Sequence, residues 1–151
     1  MLNSEFINFL IRAKRATYAS GVKPAQTSRP ASHDLHYEET PYLYIDTYLG
    51  GFHFIGEEAV WQDGVNIYGM NYYGKMLCTE IPAGFGEFLK SAMMKVTTQN
   101  PYRGPATHAE GEFLYTCFSS GDILSFEGHE EIFHQGKKIY RLVFHGGELR
   151  D

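Results

Sequence analysis

The chain has 151 residues, of which 43% are hydrophobic, and a formal net charge of −5 at pH 7. This size suits one domain with its own core, so we predict a single domain over residues 1–151. The acidic balance disfavours direct nucleic-acid binding, which needs a basic face, and the lack of an 18-residue apolar run disfavours insertion in a membrane.

Two helices are predicted, one in each half of the chain. Asn3 or Ser4 caps the first helix, which runs to about Thr17 and carries an apolar stripe at helical spacing. The second helix covers Pro82 to Val96, where apolar residues also recur every three or four positions.

Each helix is followed by a polar loop that contains prolines, over residues 19–41 and 97–111. Alternation of side-chain character then predicts three strands in each half. The first three strands cover residues 42–48, 52–62 and 65–76, and the second three cover about 112–119, 122–134 and 137–144. The pairs Asp63-Gly64 and Gln135-Gly136 fall at the hairpin turns.

The chain contains one motif twice, at a constant offset of 72 residues between Gly56–Gly74 and Gly128–Gly146. Six positions are identical: Gly56/Gly128, Glu58/Glu130, Gly64/Gly136, Ile67/Ile139, Tyr68/Tyr140 and Gly74/Gly146. Together with the helices, this predicts an α+β fold made of a duplicated α-β-β-β unit, with repeats over about 4–76 and 84–147. We expect pseudo-two-fold symmetry and an antiparallel sheet with both helices packed on one face.

Alternation between the two faces of a strand selects candidate ligand-binding residues. Glu58 and Glu130 recur in both copies on a face shared with apolar residues, so we predict that they anchor a ligand. The alternative is a structural position at the sheet rim, paired with Lys or Arg. Arg103, in a loop framed by proline and glycine, either reaches an anionic group or pairs with an acid at a surface turn. The predicted walls of the site are aromatic: Tyr44, Trp61, Tyr72 and Tyr73.

Seven histidines raise the question of a metal site. His33 and His108 fall at matching places in the two halves, but no HExxH motif and no dense cluster of His, Cys and Asp accompanies them. We therefore predict neither a metal nor a cofactor.

The two cysteines, Cys78 and Cys117, are far apart and show no CxxC spacing. The N-terminus carries no apolar segment typical of a secretory signal. Together these features predict a cytoplasmic protein with both thiols reduced.

Five segments are distinctive in combination: YLYIDTYLGGFHFIGEEAVW, GMNYYG, PYRGP, EEIF and YRLVFHGG. They resemble an uncharacterised bacterial domain family, a domain of unknown function, over nearly the whole chain. The resemblance implies that such domains occur alone or fused behind helix-turn-helix regions of the phage-repressor type, where they would act as sensing modules. The family has no established activity, so no catalytic residue follows from it.

Three functions are compatible with these observations. The favoured one is a non-catalytic, sensor-like domain that binds a small molecule in a cleft between the two repeats. An interaction module that forms a homodimer through an apolar sheet face is the first alternative, because enrichment in aromatic residues is typical of ligand pockets and of protein interfaces alike. The second alternative is an enzyme that uses Glu58 or Glu130 as general acid or base, although no nucleophile-base pair supports it.

Overall fold

The computed structural model describes residues 2–21 and 27–151. Two α-helices and eight strands form within these residues. The helices are α1 (Ser4–Ala16) and α2 (Phe85–Met93), and a short 3₁₀ turn at Tyr18–Ser20 follows α1. The strands are β1 (His33–Glu39), β2 (Tyr42–Gly50), β3 (His53–Gln62), β4 (Val65–Met76), β5 (Thr107–Glu110), β6 (Phe113–Asp122), β7 (Ser125–His134) and β8 (Lys137–Glu148).

All eight strands belong to one antiparallel sheet, in the order β1-β2-β3-β4-β8-β7-β6-β5. The predicted α+β class with a sheet and two helices is confirmed. The predicted number of strands is wrong, because four strands rather than three follow each helix.

The two additional strands, β1 and β5, form at the outer edges of the sheet. Both lie in segments that we predicted to be irregular, residues 19–41 and 97–111. Their sequences, HDLHYEE and THAE, are polar and charged, as is common for edge strands that avoid pairing with other chains. Residues 22–26 of the first segment lie outside the described residues.

Helix α1 begins where its sequence predicts. The Asn3 side chain accepts a hydrogen bond from the Phe6 amide at 3.0 Å, which satisfies one of the free N–H groups of the first turn. The predicted stripe is buried, including Phe9 and Leu10. Helix α2 is shorter than predicted, since it starts only after Gly84, whose φ of +84° does not fit a helix.

The two predicted hairpin turns have matching backbone conformations. Asp63 and Gln135 both have a φ of +50°, and the glycine after each also has a positive φ. This is the pattern of the two-residue turns that suit the twist of a hairpin. A bulge interrupts the ladder just before each turn, between Val60 and Trp61 and again between Ile132 and Phe133.

Strands β4 and β8 pair at the centre of the sheet, with Tyr72 directly opposite Phe144. The ring of each aromatic residue lies over a glycine of the adjoining strand, Tyr72 over Gly56 and Phe144 over Gly128. A Cβ atom on Gly56 would come within 2.3 Å of the Tyr72 hydroxyl oxygen. The repeated glycines therefore make room for large side chains on one face of the sheet.

That face is the one covered by the helices. Phe6 of α1 contacts the Tyr68 ring at a centroid distance of 5.5 Å, and Phe85 of α2 contacts the Tyr140 ring at the same distance. Glu58 and Glu130 are buried on this face too. The opposite face carries a mixture of exposed apolar and charged side chains. Neither helix has the length and apolar character that crossing a membrane requires, within the part of the chain that the structure describes.

Candidate functional site

A cavity of about 240 Å³ lies on the helix-covered face, between the 3₁₀ turn after α1 and helix α2. Tyr18, Phe85 and Leu89 line it from above the sheet. The sheet supplies side chains from β2, β3, β4 and β8: Asp46, Tyr48, Phe54, Tyr72, Met76 and Tyr140. Arg103 completes one side. The space is therefore mainly aromatic, with one carboxyl and one guanidinium group among its walls.

Asp46 is the acidic group of this cavity. It lies in the middle of β2, and only 4% of its surface is exposed. The Tyr72 hydroxyl donates a hydrogen bond to its Oδ1 atom at 2.6 Å. Burial, reinforced by the nearby Glu58 carboxylate, raises the pKa of Asp46 to about 7, against the opposing effects of Tyr72, Arg103 and Lys14. Asp46 is thus ready to gain or lose a proton near neutral pH.

Arg103 is held by Glu130 through a bidentate contact. Its Nε and Nη2 atoms donate to the two carboxylate oxygens at 3.1 and 2.7 Å. Burial opposes the positive charge, but the Glu130 carboxylate outweighs this effect and raises the pKa of Arg103 well above its usual value. The guanidinium carbon also lies 5.5 Å from the centre of the Tyr72 ring, so this cation is fixed beside the cavity.

Glu130 has no exposed surface and does not line the cavity. Besides Arg103, it accepts hydrogen bonds from the Tyr115 and Tyr140 hydroxyls at 2.6 and 2.9 Å. The Tyr115 hydroxyl in turn accepts a hydrogen bond from the Gly104 amide at 2.9 Å. Through these hydrogen bonds, the Glu130 carboxylate holds the segment after α2 against the sheet.

Glu58 has a separate cationic partner, Lys14 of helix α1. The Lys14 ammonium group donates to Glu58 and, at 2.8 Å, to the carbonyl oxygen of Tyr102. Burial lowers the pKa of Lys14, whereas the Glu58 carboxylate raises it. This pair borders a small space of about 20 Å³ that shares Asp46 and Arg103 with the main cavity.

The cavity wall combines aromatic surfaces with a few polar groups. Its described side chains include one carboxyl, one guanidinium and several tyrosine hydroxyls, but no Ser, Cys, His or Lys. No three His, Cys, Asp or Glu side chains are grouped closely enough for a metal ion within residues 2–21 and 27–151. A small molecule in this space would meet flat apolar walls and a few fixed polar groups, as in many ligand pockets.

Five of the seven candidate residues lie together on the helix-covered face. Tyr72 and Arg103 line the main cavity, Tyr44 and Glu58 line the small space beside it, and Glu130 lies behind Arg103. Glu58 and Glu130 are paired with Lys and Arg, but inside the core rather than at the sheet rim.

Trp61 and Tyr73 lie apart from this group, on the opposite face of the sheet. Tyr73 directly follows Tyr72 in β4, so its side chain points to the other side, where it is 44% exposed. Trp61 borders an open depression of about 510 Å³ on that face and another of about 380 Å³ near the β3–β4 turn. That Trp61 and Tyr73 form walls of a ligand-binding site stays a prediction.

Asp46 is the polar residue that the sequence did not single out. It alternates in β2 with Tyr42, Tyr44 and Tyr48, and it is the only charged member of that set. The signal in the sequence was an acidic residue that shares one face of a strand with three tyrosines. Its importance became visible only when the tyrosine side of β2 proved to be the buried one.

Sequence comparison adds a family but no activity. A family profile described as "Domain of unknown function (DUF5680)" matches residues 46–149. This range begins at Asp46 and includes Arg103 and Glu130, but it leaves out helix α1 and Lys14. No curated protein and no solved structure matches the chain. The match spans well over half of the sequence, and the chain therefore belongs to the DUF5680 family of domains of unknown function.

Proposed function

We propose that this chain is a non-catalytic domain that binds a small molecule in the cavity between the 3₁₀ turn and α2. The observation that carries the proposal is an aromatic space of about 240 Å³ to which a buried carboxyl and a buried guanidinium group both contribute. Ligand pockets are typically apolar spaces that carry a small number of polar groups in fixed positions.

The positions of Glu58 and Glu130 disfavour catalysis by either of these two carboxylates. Glu130 is closed off from the cavity by Arg103 and two tyrosines, so it has no free position for a substrate. Glu58 is engaged by Lys14 and borders only the small space. A general acid or base must come within hydrogen-bond reach of its substrate, and neither carboxylate meets that requirement in this arrangement.

A thermal-shift screen against metabolites, hydrophobic cations and divalent metals tests the proposal. A ligand present at about 100 times its dissociation constant adds about 2.7 kcal/mol to the free energy of unfolding, which raises the midpoint by several degrees in a domain of this size. We expect Leu89→Trp, which fills the cavity from α2, to abolish the shift. The matched control is Leu77→Trp, at an exposed leucine outside the cavity, which should retain it.

Two results would contradict the proposal. The first is a screen in which no compound moves the midpoint of the wild-type protein. The second is a shift that persists unchanged in Leu89→Trp, because the ligand would then occupy another site.

The two halves of the sheet further support a cleft between related units. The turns, the bulges and the buried carboxylates Glu58 and Glu130 recur at the offset of 72 residues. The register between β4 and β8 is centred on Tyr72 and Phe144, which are themselves equivalent in the repeat. We therefore propose a duplicated unit with its pseudo-two-fold axis at this pair. A crystal structure in which a rotation near 180° superposes residues 42–76 on 113–148 would bear this out, and any other rotation would refute it.

If relatives are fused behind repressor-type helix-turn-helix regions, as the resemblance implies, the cavity would be their sensing site. Ligand binding between the 3₁₀ turn and α2 would then alter how α2 lies on the sheet.

A homodimer is the second candidate, favoured by a row of apolar side chains on the opposite face of the sheet. Ile55, Tyr73 and Val143 are directly opposed across β3, β4 and β8. The row continues through His129 to Phe118, which is 61% exposed. Exposed apolar groups on four strands, in line with His129 of β7, are typical of an interaction surface.

Charge favours a second copy as the occupant of this row. Exposed Glu57 and Glu127 lie along one side of it, and exposed Lys75 and Arg141 lie along the other, where Arg141 is also 3.9 Å from the half-buried Glu131. A two-fold axis along the row would bring the basic side of one protomer over the acidic side of its partner, which is a self-complementary arrangement.

Sedimentation at several protein concentrations and salt concentrations tests the dimer. We expect the wild type to dimerise, more weakly at high salt, and Val143→Glu to be monomeric with an unchanged circular dichroism spectrum. Val65→Glu, at a residue with similar exposure at the end of the β3–β4 hairpin, is the control and should dimerise normally. A wild-type monomer at all concentrations would rule this interface out.

A further inference from the structure

The charges buried under the helices do not balance. Lys14 is paired with Glu58, and Arg103 is paired with Glu130. Asp46 is a third carboxyl on the same face of the sheet, and it takes part in no ion pair among residues 2–21 and 27–151. With all these groups ionised, the interior carries one uncompensated negative charge at the cavity wall. A buried charge without a partner is strongly unfavourable.

The surroundings of Asp46 are suited to a positively charged group. Its Oδ1 atom accepts a hydrogen bond from the Tyr72 hydroxyl at 2.6 Å, and the carboxyl borders the cavity. The rings of Tyr48, Phe54 and Tyr140 line the same space. Carboxylates form their strongest hydrogen bonds with charged donors, and aromatic faces attract cations electrostatically.

We infer that the ligand of this cavity is an organic monocation with a flat apolar body, whose ammonium group is bound by Asp46. The inference rests on the proposed ligand-binding function and names the chemical class of the ligand. One ammonium group would supply the single positive charge that the buried network lacks. The apolar body would fill the aromatic part of the cavity, beneath Phe85 and Leu89.

Neither an anion nor a metal ion suits the site as well. An anion would be repelled by Asp46, while Arg103 already gives two of its donors to Glu130. A metal ion usually needs several ligands, and among the described residues Asp46 is the only carboxyl that lines the main cavity.

Binding of a cation would compete with protonation of Asp46. Burial and then Glu58 raise the pKa of Asp46 to about 7. The ionisable groups around it come from α1, the 3₁₀ turn, β2, β3, β4 and the segment after α2: Lys14, Tyr18, Tyr44, Tyr48, Glu58, Tyr72 and Arg103. A protonated carboxyl has no charge to offer, so we expect affinity for a cation to fall as pH drops below 7.

Three probes of similar size test the inference: 2-phenylethylamine, 2-phenylethanol and phenylacetate, which are cationic, neutral and anionic at pH 8. Binding is measured by ¹H–¹⁵N correlation spectra of the labelled protein at pH 8 and at pH 5.5. We expect the amine to bind at least tenfold more tightly than the alcohol at pH 8, with shifts at amides around the cavity. This preference should shrink severalfold at pH 5.5.

Two variants test the Asp46 carboxylate and its hydroxyl partner separately. Asp46→Asn should remove the preference for the amine over the alcohol at pH 8. Tyr72→Phe keeps the carboxyl group but removes the hydrogen bond that favours its ionised form, so it should retain a preference for the amine at pH 8 that is smaller than in the wild type. The wild-type comparison at the two pH values gives the same answer without relying on either variant.

The outcomes distinguish the ligand class from the binding function. If the alcohol or phenylacetate binds in the cavity as tightly as the amine at pH 8, the cationic ligand class is wrong but the binding function stands. If the preference for the amine survives in Asp46→Asn, Asp46 is not its acceptor. If no probe shifts any resonance of a residue around the cavity, the inference and the proposed function both fail.

Discussion

Replacing Asp46 by asparagine tests whether this carboxyl is an uncompensated buried acid. The substitution keeps the size of the side chain and its ability to accept a hydrogen bond from Tyr72, but removes the ionisable group. Burial, followed by the Glu58 charge, raises the pKa of Asp46 from 3.8 to about 7 in the folded protein. In the unfolded chain the carboxyl is solvated and ionises near pH 4.

The direction in which stability changes with pH follows from proton binding. Between about pH 4 and pH 7 the folded protein holds a proton on Asp46 that the unfolded chain has lost. Stability of the wild type therefore falls as pH rises through this window. A raised pKa of about three units, at 1.36 kcal/mol per unit, corresponds to about 4 kcal/mol between pH 4 and pH 7. The asparagine amide of the variant does not titrate, so the variant escapes this loss.

Urea unfolding at pH 4, 5, 6 and 7 measures the difference in free energy of unfolding between Asp46→Asn and the wild type. We expect the difference to move in favour of the variant by about 4 kcal/mol from pH 4 to pH 7. Asp63→Asn is the control, at an exposed carboxyl in the β3–β4 turn, and its difference from the wild type should be much flatter. A change of less than about 1 kcal/mol for Asp46→Asn would refute the reasoning, since Asp46 would then ionise normally in the folded state.

Three further predictions concern the same face of the sheet. Glu130→Gln leaves the Arg103 cation buried without its counter-charge, so urea unfolding should show a loss of about 3–5 kcal/mol, and a loss below about 1 kcal/mol would mean that the pair is dispensable. Gly56→Ala adds a Cβ atom 2.3 Å from the neighbouring tyrosine oxygen and should reduce stability by about 1–3 kcal/mol. Gly51→Ala, with no atom within 4 Å of its added Cβ, should change stability by no more than about 0.5 kcal/mol. Equal effects of the two alanine substitutions would contradict the packing argument. Burial, with a further contribution from the Glu130 charge, raises the pKa of Cys117 to about 11, so this thiol should react slowly with a disulfide reagent at pH 8. Rapid modification of both thiols in the folded protein would disprove that.

Local features of the sequence were sufficient for much of the fold. The Asn3 cap and the apolar stripe of α1 depend on neighbours a few residues away. The hairpin turns at Asp63 and Gln135 depend on the following glycine and its positive φ. Such short-range signals are readable without knowledge of the tertiary structure.

The sequences of the edge strands β1 and β5 indicate strand structure only weakly. The sequence of β1, HDLHYEE, is polar because the strand has a neighbour on one side only and is largely exposed on the other. The four residues of β5 are too few to establish an alternation. Both strands form because β2 and β6 offer them a backbone to pair with, and that opportunity is a property of the assembled sheet.

By itself, the sequence determined the helices, the central strands and turns, and which side chains of each strand share a face. It also marked Glu58, Glu130 and Arg103 as residues of interest. The tertiary structure alone decided which face became the interior, because alternation separates two faces without saying which one the helices will cover. It also decided that Lys14 and Arg103 would neutralise the two glutamates and leave Asp46 without a cation among the described residues. Those pairings join residues 44 and 27 positions apart, and the energy of a buried charge depends on partners that only the folded chain brings within reach.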